Sequence, residues 1–334
     1  MTNNQKIFDI TIIGGGPVGL FAAFYAGLRQ ASVKIIDSLE LLGGQPAHLY
    51  PEKLIYDIPA YPQITGQELT DNLIEQLERF DVTYCLGEEA LQLENQSHSD
   101  EEANFVIQTD KGFHQTKTII IAAGNGAFSP RKLSLANAEK YESKNLHYYV
   151  NQINQFSNRT VAICGGGDSA VDWALTLETV ASKVYLIHRR PQFRALEHNV
   201  NLLKQSSVEI LTPYSPHELI GDEDKIEQVV LKQNKTKEFL TLDIDEFIVN
   251  YGFTSSLGTL SQWGLESNRN QFVVNNFFET STPGIYAIGD IADYPGKVNI
   301  IATGFGEAPS VINSALAFID PSNIAPHIHS SSLF

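Results

Sequence analysis

The chain has 334 residues, enough for two or three domains of ordinary size, and its 43% hydrophobic and 19% charged residues can bury substantial cores. A net charge of −16 argues against general binding to nucleic acid or a membrane surface, and no apolar run reaches the roughly 18 residues of a membrane span. The opening MTNNQKIFD lacks the apolar core of a signal peptide, so a soluble cytoplasmic protein is expected. The two cysteines, Cys85 and Cys164, lie far apart and form no C-x-x-C, which excludes a disulfide framework and a cysteine-rich metal site.

The first informative stretch is Asp9–Leu20, DITIIGGGPVGL. Its short β-branched run predicts a parallel strand covered on both faces. Gly14, Gly16 and Gly19 follow in the G-x-G-x-x-G spacing. The first suits the tight turn, the second a close phosphate approach, the third helix–strand packing. Pro17 suits a first helical turn, where its missing N–H costs nothing. The helix N-terminus offers free N–H groups and a positive dipole end to an anion. A second strand, Val33–Asp37, ends in an acid 18 residues after Gly19, near the spacing of a carboxylate that accepts a ribose hydroxyl.

Ser38–Pro62 reads as a long loop punctuated by Gly43-Gly44-Gln45-Pro46 and Tyr50-Pro51. Thr65–Phe80 predicts an amphipathic helix with a Thr65/Glu68 capping box. Short strands are expected over 82–121 around an exposed turn at Glu94–Asn104, with a buried strand at Thr118–Ala123 ending at Gly124.

Thr160–Val171, TVAICGGGDSAV, repeats the opening plan. Gly165-x-Gly167-x-x-Ala170 forms the turn, with alanine an accepted third member, and the next helix is expected over Ser169–Ala181. The strand Lys183–Ile187 then ends in His188-Arg189-Arg190. Asp37 holds the equivalent place in the first half. A carboxylate there favours a free ribose hydroxyl; arginines favour a 2′-phosphate. The first turn therefore suits FAD or NAD, the second NADP. An apolar strand returns over Asp243–Val249. GIYAIGD, 284–290, is another strand ending in Gly-Asp, before Gly304-Phe305-Gly306 and a helix over Ala308–Ile319. By composition alone, 320–334 is a frayed tail.

Two glycine turns, HRR after the second and a C-terminal YAIGD together resemble the two-dinucleotide flavoproteins, in size and order the low-molecular-weight thioredoxin reductases. Those enzymes carry a C-x-x-C before the second turn; here Asn145–Asn154 holds no cysteine. The segments GGGPVGLFAAFYAG, GGQPAHLYPEKLIYDIPAYP, GGGDSAVDWAL, HRRPQFRA, NIIATGFGEAPSVINSA and the tail HSSSLF resemble the bacterial thioredoxin-reductase-like ferredoxin/flavodoxin–NADP reductases over essentially the whole chain.

The resemblance implies an α/β fold of two Rossmann-like domains. An FAD domain of about 1–125 plus 249–334 is expected to be interrupted by an NADP domain, 126–248. Gly14, Gly16, Pro17, Gly19 and Asp37 are expected at FAD, with Gln45 and Tyr50 contacting it and the Tyr50 ring on one face of the isoalloxazine. Ala90 and Phe128 would line the adenine and flavin regions, and Asp290 would bind the ribityl chain. His329 would cover the other flavin face and Ser331 its edge, against the frayed-tail reading. Gly165, Gly167, Asp168, Ser169, His188, Arg189 and Arg190 are expected at NADP. Asp37 departs from the glutamate of many relatives, and Pro191 from an aspartate common in thioredoxin reductases. The implied activity is hydride transfer between NADPH and flavin, then single-electron exchange with ferredoxin or flavodoxin, with no essential protein acid or base and no metal. The alternatives are an NADPH-dependent flavoprotein reducing quinone, free flavin or another protein's disulfide, and an NADP-responsive sensor. A homodimer is implied by the resemblance alone.

Overall fold

The structure, a computed structural model, describes residues 6–96, 104–142 and 144–322. The chain divides into two compact units, one of Met1–Phe128 with Ser255–Phe334, the other of Ser129–Thr254.

The first unit is built on a sheet whose centre is β1 (Phe8–Ile13). It pairs in parallel with β2 (Val33–Asp37) on one side and with Phe113–Ile121 on the other. Val82–Leu86 extends the sheet beyond β2. Phe113–Ile121 changes partner along its length. Its first half pairs antiparallel with Phe105–Thr109, its last three residues parallel with Ile285–Ala287. β1 is buried on both faces, as its continuous apolar run requires. Helices α1 (Pro17–Leu28), α3 (Gly66–Leu77) and α6 (Ile301–Ile319) share one core with one face of this sheet. On the other face Phe105, Trp263 and Phe272 fill a second core. Thr65 caps α3 through the full reciprocal box with Glu68.

Two local expectations are corrected in this unit. The loop after Asp37 contains a six-residue helix, α2 (Gly44–Leu49), which its glycines and proline hid. The last helix starts at Ile301 rather than Ala308, so Gly304, Gly306 and Pro309 all lie inside it. Gly304 is there for packing: a Cβ on it would stand 2.4 Å from Cγ2 of Val18, where α6 meets α1.

The second unit carries a five-stranded parallel sheet in the order Leu146–His147, Glu246–Asn250, Thr160–Gly165, Lys183–Ile187, Glu209–Leu211. Helix α4 (Asp168–Leu177) follows the second glycine turn. It stops short of the expected Ala181, just before Thr179 and Val180, β-branched residues of lower helix propensity. A three-stranded antiparallel sheet, Tyr214–Gly221, Ile226–Gln233 and Phe239–Asp243, completes the unit. Its own core includes Tyr141, Phe247 and Cys164.

Candidate functional site

The first glycine turn opens onto a cleft of about 420 Å³ in the first unit, within the range of small-molecule and cofactor sites. The three glycines answer to different neighbours. Gly14 has φ +111°, and a Cβ on it would meet the Ala122 carbonyl oxygen at 2.5 Å. A Cβ on Gly19 would stand 1.9 Å from the Gly14 carbonyl oxygen, so α1 can rest on its turn only with glycine there. Gly16 is different. It lines the cleft, and a Cβ on it would touch only Gly44, at 3.8 Å. The packing of the chain does not itself require glycine at 16. Pro17 stands at the first position of α1 and lines the same cleft, and no acidic residue in the first turn offsets the dipole.

Asp37 ends β2 and is 9% exposed. Its Oδ2 accepts the Gly15 N–H at 2.6 Å and its Oδ1 the Leu39 N–H at 2.8 Å. Burial pushes its carboxyl above the ordinary value, against those two hydrogen bonds. The Gly43–Gly44 segment folds back on the turn, the Gly43 N–H donating to the Gly15 carbonyl at 2.8 Å. Helix α2 thereby brings Gln45 and Tyr50 to the cleft wall. Burial pushes the Tyr50 phenol up to about 12, with the Asp290 and Asp57 carboxylates adding to the shift. Asp290 lines the cleft from the Gly-Asp turn after Ile285–Ala287, and burial raises its carboxyl too. Ala90 lines the cleft at the start of the strand Ala90–Asn95. The N-terminal residue of α6, Ile301, also faces it.

So the structure brings Gly14, Gly16, Pro17, Asp37, Gln45, Tyr50, Ala90 and Asp290 to one cleft, with Gly19 beneath the turn. Phe128 lies in the strand Ala127–Pro130, its side chain outside the described set. His329 and Ser331 lie outside the described residues.

In the second unit the same division recurs. A Cβ on Gly165 would meet the Asn250 carbonyl oxygen at 2.6 Å and the Ala170 Cβ at 2.7 Å, whereas one on Gly167 would find only the Arg194 carbonyl oxygen, at 3.9 Å. The His188 ring lies over Gly166, where a Cβ would come within 2.2 Å of it, and stacks on Phe193 at 5.4 Å. Burial lowers the His188 pKa, and the charges of Arg189 and Arg190 lower it further. Both arginines are exposed, and among the described residues neither enters an ion pair shown by the structure. The segment after them returns to the turn. The Arg194 N–H donates to the Gly166 carbonyl at 2.7 Å, and the Leu196 N–H to the Asp168 carboxylate at 2.8 Å. Asp168 thus holds a loop, while Ser169 is exposed at the start of α4. Arg194 is a third arginine at this turn; the HRRPQFRA string contains it, but only the loop's return places it there.

The family model for pyridine nucleotide-disulphide oxidoreductases matches residues 8–313. The chain belongs to this family. Over 334 residues it is 57% identical to ferredoxin–NADP reductase 2 of Listeria welshimeri and 58% identical to ferredoxin–NADP reductase 2 of Listeria monocytogenes, covering 100% of each. Among solved structures it resembles the thioredoxin reductase of Lactococcus lactis, with a TM-score of 0.78 and 28% identity over 93% of this chain and 99% of that one. Within the family the chain is of the thioredoxin-reductase-like ferredoxin–NADP reductase type, with its two-dinucleotide α/β fold.

The family's name refers to disulfide chemistry, for which this chain is poorly equipped. Cys164 is buried in the strand Thr160–Gly165, its thiol pushed up to about 12 by burial, with the Tyr251 hydroxyl 3.2 Å away. Cys85 is half-buried, and burial raises its thiol as well. Cys85, Glu88 and His114 place one donor atom each within 4.8 Å of one another. The His114 ring nitrogens are engaged, with Lys34 Nζ at 2.8 Å and Glu88 Oε1 at 2.7 Å, so the group satisfies itself by hydrogen bonding.

Proposed function

We propose that this chain is an FAD-dependent enzyme that moves electrons between NADPH and ferredoxin or flavodoxin. The observation that carries the reading is the contrast between two similar turns. The first turn has a buried carboxylate, Asp37, accepting from Gly15; beside the second, the His188 ring lies over Gly166 and exposed Arg189 and Arg190 follow it in the chain. A carboxylate suits the unphosphorylated ribose of FAD, and guanidinium groups the 2′-phosphate of NADP. Relatives with more than half of their residues identical are named ferredoxin–NADP reductases, which supports the acceptor class.

In this reading the first unit is the FAD domain and the second the NADP domain. FAD, when bound, accepts a hydride and releases electrons one at a time. The chain's residues bind and orient. Gly16 admits the pyrophosphate to the N-terminus of α1. Asp37 accepts an adenosine ribose hydroxyl, and Asp290 takes the ribityl hydroxyls. Tyr50 and Gln45 form a wall against the flavin, and burial moves the Tyr50 phenol still further from ionisation. Ala90 lines this site, and the role expected of Phe128 at the adenine and flavin regions belongs to the same reading. Gly167, Ser169 and His188 shape the NADP site, where Arg189 and Arg190 hold the phosphate. The roles of His329 and Ser331 at the flavin, the homodimer and the cytoplasmic location belong to the same reading. Among the described residues no helix is long and apolar enough to cross a membrane.

The test is direct. The purified protein should carry FAD, lose its yellow colour anaerobically with NADPH, and regain it on adding oxidised ferredoxin or flavodoxin. A protein that takes up no FAD, or whose reduced flavin ignores both acceptors, would overturn the reading.

A further inference from the structure

The GFGEAP segment lies within α6, and its one charged residue is buried. Glu307 is 3% exposed. A buried carboxylate costs several kcal/mol to desolvate, so its partners indicate what it is for. Oε2 accepts the Gly289 backbone N–H at 2.7 Å. Oε1 accepts the Tyr294 hydroxyl at 2.6 Å and the Lys297 ammonium. The Lys297 side chain is itself almost fully buried, so the pair lies away from water.

All three partners flank Asp290. Gly289 opens the tight turn Gly289–Ile291 with φ +73°, and Tyr294 and Lys297 follow it. The Gln271 side chain donates to the Asp290 carbonyl at 2.6 Å, holding the turn from another side. Asp290 and the first residue of α6, Ile301, are both cleft walls. Glu307 therefore ties the turn that carries one wall to the helix that supplies the other. An apolar cluster of similar volume would serve stability as well or better. It would not accept the Gly289 N–H.

We propose that Glu307 is a positioning residue: with Tyr294 and Lys297 it locks the Gly289–Asp290 turn onto α6, so that the Asp290 carboxylate is held in place for the ribityl hydroxyls of FAD. The proposal rests on the FAD reading above. The electrostatics agree with it. Burial raises the Asp290 carboxyl, Lys297 opposes that shift, and Glu307 adds to it, so Asp290 senses both members of the pair.

The experiment compares wild type, Glu307→Gln and Tyr294→Phe. For each, FAD is removed, and the apoprotein's Tm and its Kd for added FAD are measured; the reconstituted proteins give flavin midpoint potentials. Wild-type uptake of FAD is established first; its absence would overturn the parent reading and this one together. Glu307→Gln should raise the Kd for FAD about tenfold or more and shift the potential, the loss of roughly one charge-assisted hydrogen bond's worth of orientation. Tyr294→Phe, a milder change, should move both in the same direction, by about threefold in Kd. A Gln variant that lowers the apoprotein's Tm but keeps the wild-type Kd and potential would show a merely structural residue. If the Gln variant does not fold, an unchanged Kd and potential in Tyr294→Phe overturns the proposal.

Discussion

The backbone N–H of Gly15 donates to Oδ2 of Asp37 at 2.6 Å. The bond joins the middle of the glycine turn to the end of the neighbouring strand, 22 residues on. In the proposed reading, the parts of the cleft that take phosphate and ribose are therefore tied to each other directly. Leu39 donates to the other oxygen at 2.8 Å, so the carboxylate is oriented before any ligand arrives. A carboxylate has about four acceptor positions, and two remain for a ribose.

This geometry gives a pH dependence of two signs. Burial raises the Asp37 carboxyl above 3.8, so the folded chain binds this proton more readily than the unfolded chain. The group's contribution to the apoprotein's stability is thus fully present below the unfolded value and lost as pH rises through the higher folded value. Its contribution to FAD binding runs the other way, because protonation removes an acceptor. Acidification should begin to weaken FAD binding as pH falls through the raised apoprotein value, while the apoprotein gains stability from this group. Asp37→Asn should weaken FAD binding by about 1–3 kcal/mol and flatten that dependence. Fluorescence titration of FAD against pH, on both proteins, reads the difference. Identical curves would remove Asp37 from the site.

The glycines separate folding from binding. Gly19→Ala places a Cβ 1.9 Å from the Gly14 carbonyl oxygen, so α1 must leave its turn and the apoprotein itself should lose about 2 kcal/mol or more. Gly16→Ala meets only ordinary contact at 3.8 Å. Its apoprotein should melt within a few degrees of wild type, while the FAD Kd rises about tenfold or more because the methyl occupies the phosphate's approach. Thermal melts with and without FAD check both. A Gly16→Ala protein with normal FAD affinity would mean that the cleft approaches its ligand elsewhere.

The local features of the site were legible in the sequence, since each spans few residues. The Gly14-x-Gly16 spacing, the acid at 37 and the arginines at 189 and 190 needed only a strand–turn–helix pattern around them. The contacts that depend on chain return were not legible. Nothing in the residues near Glu307 says that it accepts from Gly289, and nothing in Arg194 says that its backbone reaches Gly166. Helix α6 hid its first two turns behind two glycines and a proline. Packing against Val18 overrides their poor propensity, and only the fold supplies Val18.

The thiols should be dispensable. Cys164 is buried at high pKa, Cys85 has a raised pKa, and the two belong to different units. Replacing both with serine should leave NADPH-to-ferredoxin turnover within a few-fold. Cys164→Ser should cost about 1–3 kcal/mol, because it buries a hydroxyl where a thiol sat. Steady-state rates and urea midpoints of the double variant test this. A folded, flavin-loaded variant without turnover would demand a thiol step.

Nucleotide choice tests the second turn most sharply. Arg189 and Arg190 follow the strand Lys183–Ile187 and are exposed on the same unit as Gly167. Their chain is held in place from both sides, by the Tyr214 N–H on the His188 carbonyl at 3.0 Å and the Asn234 side chain on the Arg189 carbonyl at 3.0 Å. The guanidinium groups are thereby presented on fixed backbone, which limits the entropy lost on gripping a phosphate. NADPH should exceed NADH in kcat/KM, and changing both arginines to alanine should erase about 2–4 kcal/mol of that preference. The loss should fall mainly on NADPH, with NADH rates nearly unchanged, because NADH has no 2′-phosphate to grip. The preference should also shrink as salt rises, since exposed charges are screened over about 10 Å at 0.1 M. Stopped-flow reduction of the flavin by each nucleotide, for wild type and the double variant at two salt concentrations, separates these terms. Equal use of the two nucleotides by the wild type would show that these arginines do not read the ribose.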